Sequence, residues 1–197
     1  MPRAPLTPER ILEAAEDILR RFGPAKANVV DVARALDVTH SAVYRHYPSK
    51  AALREAVAER WLARISEPLA SIAAEKTQPL RRLRSWLEEL IAAKRSRALE
   101  DPELFANYME LMAEAREVVL DHVRILTGQL ATIIADGISR GAMTAGDPEA
   151  AARAVFDATA RFHNPAHATE WADPGIDQAF EDVWTLVRAA LAPHSGA

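Results

Sequence analysis

The sequence NVVDVARALDVTHSAVYRHYPSKAAL, residues 28–53, gives the clearest indication of the fold. Its first half predicts a short helix, because Asn28 can act as the N-cap and Asp31 follows three residues later. Thr39 can cap a second helix that runs to about His46, and the turn LDVT separates the two. Two short helices at this spacing are typical of a helix-turn-helix, whose second helix enters the major groove of DNA.

The second helix of this pair is polar, with only Ala42 and Val43 facing inward. Because such a segment buries little of its surface, we expect its side chains to face a partner outside the fold. Arginine fits the O6 and N7 atoms of guanine, and hydroxyl, imidazole and ammonium donors fit phosphate oxygens. Each side chain taken alone fits a solvated helix face equally well, but together with the helix-turn-helix spacing they favour DNA. The predicted DNA-binding residues are Asn28, Thr39, His40, Ser41, Tyr44, Arg45, His46, Tyr47 and Lys50.

The rest of the chain predicts helices and no strand. Thr7 and Pro8 begin a helix that runs to residue 22, and Ser49 caps a longer helix that ends at about residue 67. Apolar residues at helical spacing continue through most of the remaining sequence, including residues 147–162 and 176–191. We therefore predict an all-α fold of about nine helices. Residues 1–50 are expected to form a three-helix DNA-binding head that runs into a connecting helix, and residues 68–197 a larger helical body.

Composition limits the classes of function. The chain has 197 residues and no cysteine, which excludes disulfides, thiolate metal sites and a cysteine nucleophile. Residues 1–60 hold ten lysines and arginines against eight acids, whereas the remainder holds 14 against 20. A mildly basic N-terminal part and an acidic remainder fit a protein of which one end meets phosphate. The N-terminus has no apolar signal-peptide core, and no apolar run approaches the roughly 18 residues of a membrane span, so we predict a cytoplasmic protein.

Residues 11–60 resemble the N-terminal domain of the tetracycline-repressor (TetR) family. The family pattern of an "IA" pair, a "GV" turn and "Y-x-H-F-x-x-K-x-x-L" is matched by Val32-Ala33, Asp37-Val38, Tyr44, His46, Tyr47, Lys50 and Leu53. The departures are Asp37 for the usual glycine, Asn28 for the usual threonine cap and Tyr47 for the usual phenylalanine. The resemblance implies a homodimeric, all-α repressor with a small DNA-binding head and a body that binds a small effector.

The resemblance also implies dimerisation through the last two helices, which we place at about 147–162 and 176–191. A two-fold dimer would present its recognition helices to successive major grooves, about 34 Å apart, and so select a palindrome. The alternative is that these apolar stripes pack within one chain. The predicted interface residues are Ala151, Ala154, Val155, Ala158, Phe180, Trp184, Val187 and Leu191.

Aromatic side chains, methionines and histidines of the body suggest a site for a flat or apolar effector. An ordinary core is the alternative for several of them. The predicted effector-binding residues are Trp86, Phe105, Tyr108, Met109, Met112, His122, Phe156, Phe162, His163, His167 and Trp171.

Two further readings compete with the ligand-responsive regulator. One is a DNA-binding dimer that has no small effector and is regulated by a protein partner. The other is a metal-dependent hydrolase using His163, His167 and Glu170, but Pro165 interrupts the helix on which the two histidines would have to meet. We predict no catalytic residue, no metal and no cofactor.

Overall fold

A computed structural model of the chain describes residues 5–193, which contain helices and no β-strand. The ten α-helices are α1 (Pro8–Phe22), α2 (Val29–Ala35), α3 (His40–Tyr44), α4 (Lys50–Ala74), α5 (Pro79–Glu100), α6 (Pro102–Glu114), α7 (Arg116–Ser139), α8 (Pro148–Ala158), α9 (Ala160–His163) and α10 (Ile176–Leu191). A 3-10 helix, Pro165–Glu170, lies between α9 and α10. The all-α prediction is confirmed.

Local chemistry explains where several helices begin and end. The side chains of Thr7, Asn28 and Thr39 accept hydrogen bonds from backbone N–H groups of the first turns of α1, α2 and α3. Asp101 and Asp147 do the same for α6 and α8, which both begin with proline. Each cap satisfies a donor that has no partner within its helix.

The structure corrects three predicted helix boundaries. Helix α4 does not end at residue 67 but continues through Pro68 to Ala74. Proline removes one backbone hydrogen bond, yet burial of Leu69 and Ala73 beyond it favours continuation of the helix. Helix α3 ends at Tyr44 rather than His46, and the helix predicted over 147–162 is divided at Thr159.

The chain divides into two compact units that interleave in sequence. The first comprises the residues up to Ala63 together with Asp101–Asp121, and the second comprises Arg64–Glu100 together with the residues from His122 onward. Helix α6 is thus grouped with the N-terminal helices, an association between segments that are distant in sequence.

The first unit is held together by contacts between α1, α4 and α6. The Asn107 amide donates to the carbonyl oxygen of Leu19 at 3.3 Å. Buried Arg54 donates to Glu114 of α6 and to the backbone carbonyl of Pro24 in the turn after α1. Because one guanidinium joins both segments, Arg54 fixes the turn that precedes the helix-turn-helix.

The second unit has its core between α5 and α7. Leucine side chains of both helices are fully buried together with Trp86. The indole N–H of Trp86 donates to Gln129 Oε1 at 2.9 Å, and the Gln129 amide donates to the Ser66 carbonyl at 3.0 Å. Arg82 reaches Asp136 at 2.5 Å. Polar side chains of this unit therefore link α4, α5 and α7 through hydrogen bonds and an ion pair.

Within residues 5–193, one helix is long and apolar enough to cross a membrane by length and composition alone. This is α7, with a mean hydropathy of 1.4 over an 18-residue window. This helix is an exception to the prediction that no apolar run has the length of a membrane span. Core helices of soluble proteins pass the same test but are mostly buried. Of the apolar window of α7, 28% is buried, including Leu126, Leu130 and Ile133.

Candidate nucleic-acid interface and effector site

The helix-turn-helix consists of α2, a tight turn and α3. Asp37 occupies the left-handed region with φ 52°. The N–H of Val38 donates to the carbonyl of Ala33 at 2.9 Å, and the N–H of Asp37 donates to that of Arg34 at 3.2 Å. This pair of hydrogen bonds is the Schellman arrangement, which usually has glycine at the left-handed position. The aspartate that departs from the family pattern therefore adopts the conformation for which glycine is preferred.

Helix α3 is anchored by Val43, with Ala42 half-buried beside it, and exposes its polar side chains. Val43 is completely buried, whereas Tyr44 is 45% exposed. Six other predicted DNA-binding residues are also exposed: Thr39, His40, Ser41, Arg45, His46 and Lys50. The structure thus gathers these side chains around α3 and the start of α4, where they are free of the core and available to a partner.

Two predicted DNA-binding residues differ from the rest. Asn28 is half-buried, its Oδ1 accepts from the N–H groups of Val30 and Asp31, and its Nδ2 donates to the Asp31 carboxylate at 2.7 Å. Both ends of this side chain are therefore engaged in capping α2. Tyr47 is half-buried, and burial raises the pKa of its hydroxyl, with a further contribution from Glu9.

The predicted effector residues divide between the two compact units. Phe105, Tyr108, Met109 and Met112 lie on α6 in the first unit, where Tyr108 stacks on Trp61 with ring centroids 4.7 Å apart. The other seven belong to the second unit: Trp86, His122, Phe156, Phe162, His163, His167 and Trp171. A contribution of α6 to the effector site stays a prediction.

A buried basic cluster is the main polar feature inside the second unit. Lys94 of α5 is 6% exposed, His122 of α7 5% and His163 of α9 3%. Burial, and then the charge of Arg97, lowers the pKa of Lys94 to about 8. Burial, and then the charge of Lys94, lowers the pKa of His122 to about 3 and that of His163 to about 4. At neutral pH both histidines are uncharged, and Lys94 is the cation of the cluster.

Sequence reasoning identified the two histidines of this cluster but missed Lys94. A signal was present, because Lys94 continues the inward stripe of Leu83, Leu87 and Leu90 at helical spacing. A lysine at such a position is normally read as reaching outward to water. The packing of neighbouring helices buries Lys94, and the local sequence does not show that packing.

The histidines proposed as metal ligands have other partners. His163 Nε2 lies 3.2 Å from the Phe156 carbonyl oxygen, whereas His167 Nδ1 lies 2.7 Å from Glu170 Oε1. Glu170 also accepts from Arg161 at 2.8 Å. In the part of the chain that the structure describes, no group of three or more His, Cys, Asp or Glu side chains could hold a metal ion.

The predicted dimer residues fall into buried and exposed sets. Val155, Phe180, Trp184, Val187 and Leu191 are buried within the chain itself and leave little surface for a partner. Ala151 is half-buried, and Ala154 and Ala158 are exposed on α8. The adjacent side of α10 presents another apolar stripe, which sequence reasoning missed; two of its residues are half-buried and two exposed: Ala179, Val183, Leu186 and Ala190. Leu186 is 72% exposed, the largest value among the exposed large hydrophobic residues of the described chain.

A short helix-turn-helix with an exposed polar second helix, joined to further helices and no strand among the described residues, defines the chain as a DNA-binding regulator of the helix-turn-helix class. Residues 11–57 match the bacterial regulatory proteins of the tetR family, and residues 79–184 match the tetracyclin repressor-like, C-terminal domain. The chain belongs to the tetR family, as the sequence resemblance predicted.

Relatives and solved structures agree with this assignment. The chain is 31% identical over 81 residues to the uncharacterized HTH-type transcriptional regulator Rv1255c of Mycobacterium tuberculosis, a match covering 41% of this chain and 40% of that protein. It is 29% identical over 165 residues to the HTH-type transcriptional regulator TtgR of Pseudomonas putida, covering 76% of this chain and 75% of TtgR. The fold is similar to that of SmeT in complex with triclosan, with a TM-score of 0.66, 20% identity and coverage of 95% and 92% of the two chains. SmeT is the repressor of the Stenotrophomonas maltophilia multidrug efflux pump SmeDEF.

Proposed function

We propose that this protein is a cytoplasmic, ligand-responsive transcriptional repressor that binds a palindromic operator as a homodimer and is released by a small effector. The observation that carries the proposal is the exposed polar surface of α3, which a folded core does not require. Family membership supports the regulatory role.

Within the helix-turn-helix, we assign base and phosphate contacts to different side chains. His40, Ser41 and Arg45 are exposed on or beside α3 and have groups that can read base edges in the major groove. Thr39, Tyr44 and Lys50 lie at the ends of α3 and at the start of α4, and their hydroxyl and ammonium groups suit phosphate oxygens. Asn28 acts on this surface by capping α2 rather than as a DNA ligand.

Dimerisation is assigned to the exposed sides of α8 and α10. Ala154 and Ala158 permit close approach of helices, and Leu186 offers apolar surface that water otherwise covers. The buried stripe of Phe180, Trp184 and Val187 instead holds α10 against its own chain. A two-fold interface of this kind would make the operator a palindrome.

The effector is expected to bind in the second unit, among aromatic side chains such as Trp86 and Phe156. Triclosan, an aromatic molecule, is bound by SmeT, which shares this fold. If effector and DNA favour different conformations of the dimer, each weakens the affinity of the other by the same factor. A hydrolase is not favoured, since His163 and His167 point to separate partners.

The direct test is fluorescence anisotropy with the promoter DNA immediately upstream of the gene, titrated in salt against an unrelated duplex. Saturable binding of two protomers that survives the competitor is the expected result. If binding is no tighter than to the competitor, and selection from randomised DNA yields no preferred site, the proposal is wrong.

Lys50→Ala sharpens this test. Because one phosphate contact is lost, affinity for all sequences should fall alike, and the slope of log affinity against log salt should decrease by about one. Lys76→Ala is the matched control, since Lys76 is an exposed lysine outside the helix-turn-helix. A changed sequence preference in Lys50→Ala, or an equal effect in the control, would contradict the phosphate assignment.

A further inference from the structure

The buried ammonium of Lys94 has no negative partner. In residues 5–193, no carboxylate pairs with Lys94 and its side chain makes no hydrogen bond. The charged neighbour that acts on its pKa is Arg97, which carries the same sign. Other buried cations of this chain are compensated, since Arg54 pairs with Glu114 and Arg82 with Asp136. Lys94 is therefore an exception that calls for a counter-charge from outside the chain.

The two histidines complete a set of donors beside Lys94. His122 Nε2 is buried and has no hydrogen-bond partner among the described residues. His163 Nε2 faces the Phe156 carbonyl, so this nitrogen carries the hydrogen and donates to it. Arg82 of α5 pairs with Asp136 of α7, and Trp86 with Gln129, so the two helices lie antiparallel. The same register brings Lys94 of α5 to His122 of α7. The charge of Lys94 lowers the pKa of both His122 and His163, in agreement with this placement. The ring nitrogen of His122 and the ammonium of Lys94 are both without a hydrogen-bond acceptor, so a ligand that supplies an acceptor would satisfy them.

Apolar and aromatic groups surround these donors. The Phe156 ring packs against the His163 ring with centroids 4.5 Å apart. Trp86 lies two turns before Lys94 on the buried face of α5, and its indole N–H is already satisfied by Gln129. These rings offer faces and edges to an aromatic ligand, while Lys94 and His122 offer the polar contacts.

We infer that Lys94 and His122 form the polar end of the effector site and that the effector is an aromatic carboxylic acid. Its carboxylate accepts from the Lys94 ammonium and from His122 Nε2, with that ring in the Nε2–H tautomer. Its ring packs among Trp86, Phe156 and His163. The inference rests on the proposed function, in which the second unit receives a small effector, and adds the chemical class that the site selects.

The test compares aromatic acids with their own primary amides, which have nearly the same shape but no charge. Benzoate, salicylate, 1-naphthoate and 2-naphthoate are each paired with the corresponding amide and titrated into the full-length protein by isothermal calorimetry at pH 7. Because a hydrogen bond to a charged group is stronger than one to a neutral group, at least one acid should bind about tenfold to a hundredfold more tightly than its amide.

Lys94→Met should remove this preference, because methionine fills similar space without the charge. Lys76→Met, at an exposed lysine, should keep it. The inference is overturned if no acid in the panel binds, if the amides bind as tightly as the acids, or if the preference survives in Lys94→Met. The comparison of acid with amide in the unmodified protein decides the matter even if the variant fails to fold.

Operator binding is measured on the same samples, so that failure of the acid site can be told apart from failure of the proposed regulatory function. If an acid binds through Lys94 but does not release the protein from its operator, the acid-binding site is supported and its role as the effector site is refuted. If neutral aromatic compounds release the protein from its operator and acids bind no more tightly than they do, the proposed function is supported and the acid site is refuted.

Discussion

Replacing Lys94 with methionine should stabilise the folded protein at neutral pH. The pKa of Lys94 is lowered from 10.5 to about 8 by burial and by Arg97. Below pH 8 the lysine is charged in both the folded and the unfolded chain, and the folded state bears the full cost of burying the charge. The gap between the two pKa values corresponds to about 3 kcal/mol. A methionine of similar length should recover much of that free energy.

The pH dependence distinguishes this cause from a general improvement in packing. Between pH 8 and pH 10.5 the unfolded chain binds a proton that the folded chain has lost, so the stability of the unmodified protein rises with pH. The advantage of Lys94→Met should therefore shrink by about 1 kcal/mol between pH 7 and pH 9. The Lys76→Met control should differ from the unmodified protein by less than about 0.5 kcal/mol at both values.

Urea unfolding followed by tryptophan fluorescence measures these differences at one fixed protein concentration, which matters for an oligomer. If Lys94→Met is less stable than the unmodified protein at pH 7, the burial argument is refuted. An advantage of the same size at pH 7 and pH 9 would also refute it, because a packing gain does not titrate.

Substitutions in α7 and in the turn after α2 test other features of the structure. Gly137→Ala should destabilise the protein, because its Cβ would lie 2.5 Å from Met143 Sδ, whereas Gly128→Ala on the same helix has nothing within 4 Å and should add about 0.5–1 kcal/mol. Urea unfolding of the pair checks this, and a stabilised Gly137→Ala would show that the contact is absent. Asp37→Val should lower Tm at a cost of about 1–2 kcal/mol while Asp37→Gly should not, since φ there is 52°; equal Tm values would contradict the left-handed turn. The pKa of His122 is lowered to about 3, so the unfolded state binds a proton that the folded state lacks, and stability should fall as pH drops below 6.5, by about 2 kcal/mol at pH 5. His122→Leu should lose less stability than the unmodified protein between pH 7 and pH 5, and identical losses would argue against a neutral, buried ring.

The helix-turn-helix was predictable from the sequence because its determinants are local. Asn28 and Thr39 cap helices through hydrogen bonds to residues two or three positions away. The excess of polar side chains on α3 follows from the order of residues alone, and so does their exposure around the single anchor Val43. The residue at which each short helix ends was less predictable, because the last turn depends on small differences in backbone hydrogen bonding.

The interior of the second unit was predictable only in part. Sequence reasoning named His122 and His163 but could not show that Lys94 shares their surroundings, since the three residues lie on different helices. The pattern of Phe180 and Trp184 left open whether this stripe packs against a second chain or within one chain, because both give the same apolar periodicity.

Periodicity, caps and turn residues act over a few positions, so the helical class, the position of the helix-turn-helix and the polar character of α3 follow from the sequence alone. The packing of distant segments instead explains why Pro68 stays within a helix, why α6 joins the N-terminal helices and why Lys94 is buried without a counter-charge. Those outcomes depend on which surfaces distant segments cover. Burial is a property of the packed chain, and the local pattern alone does not define it.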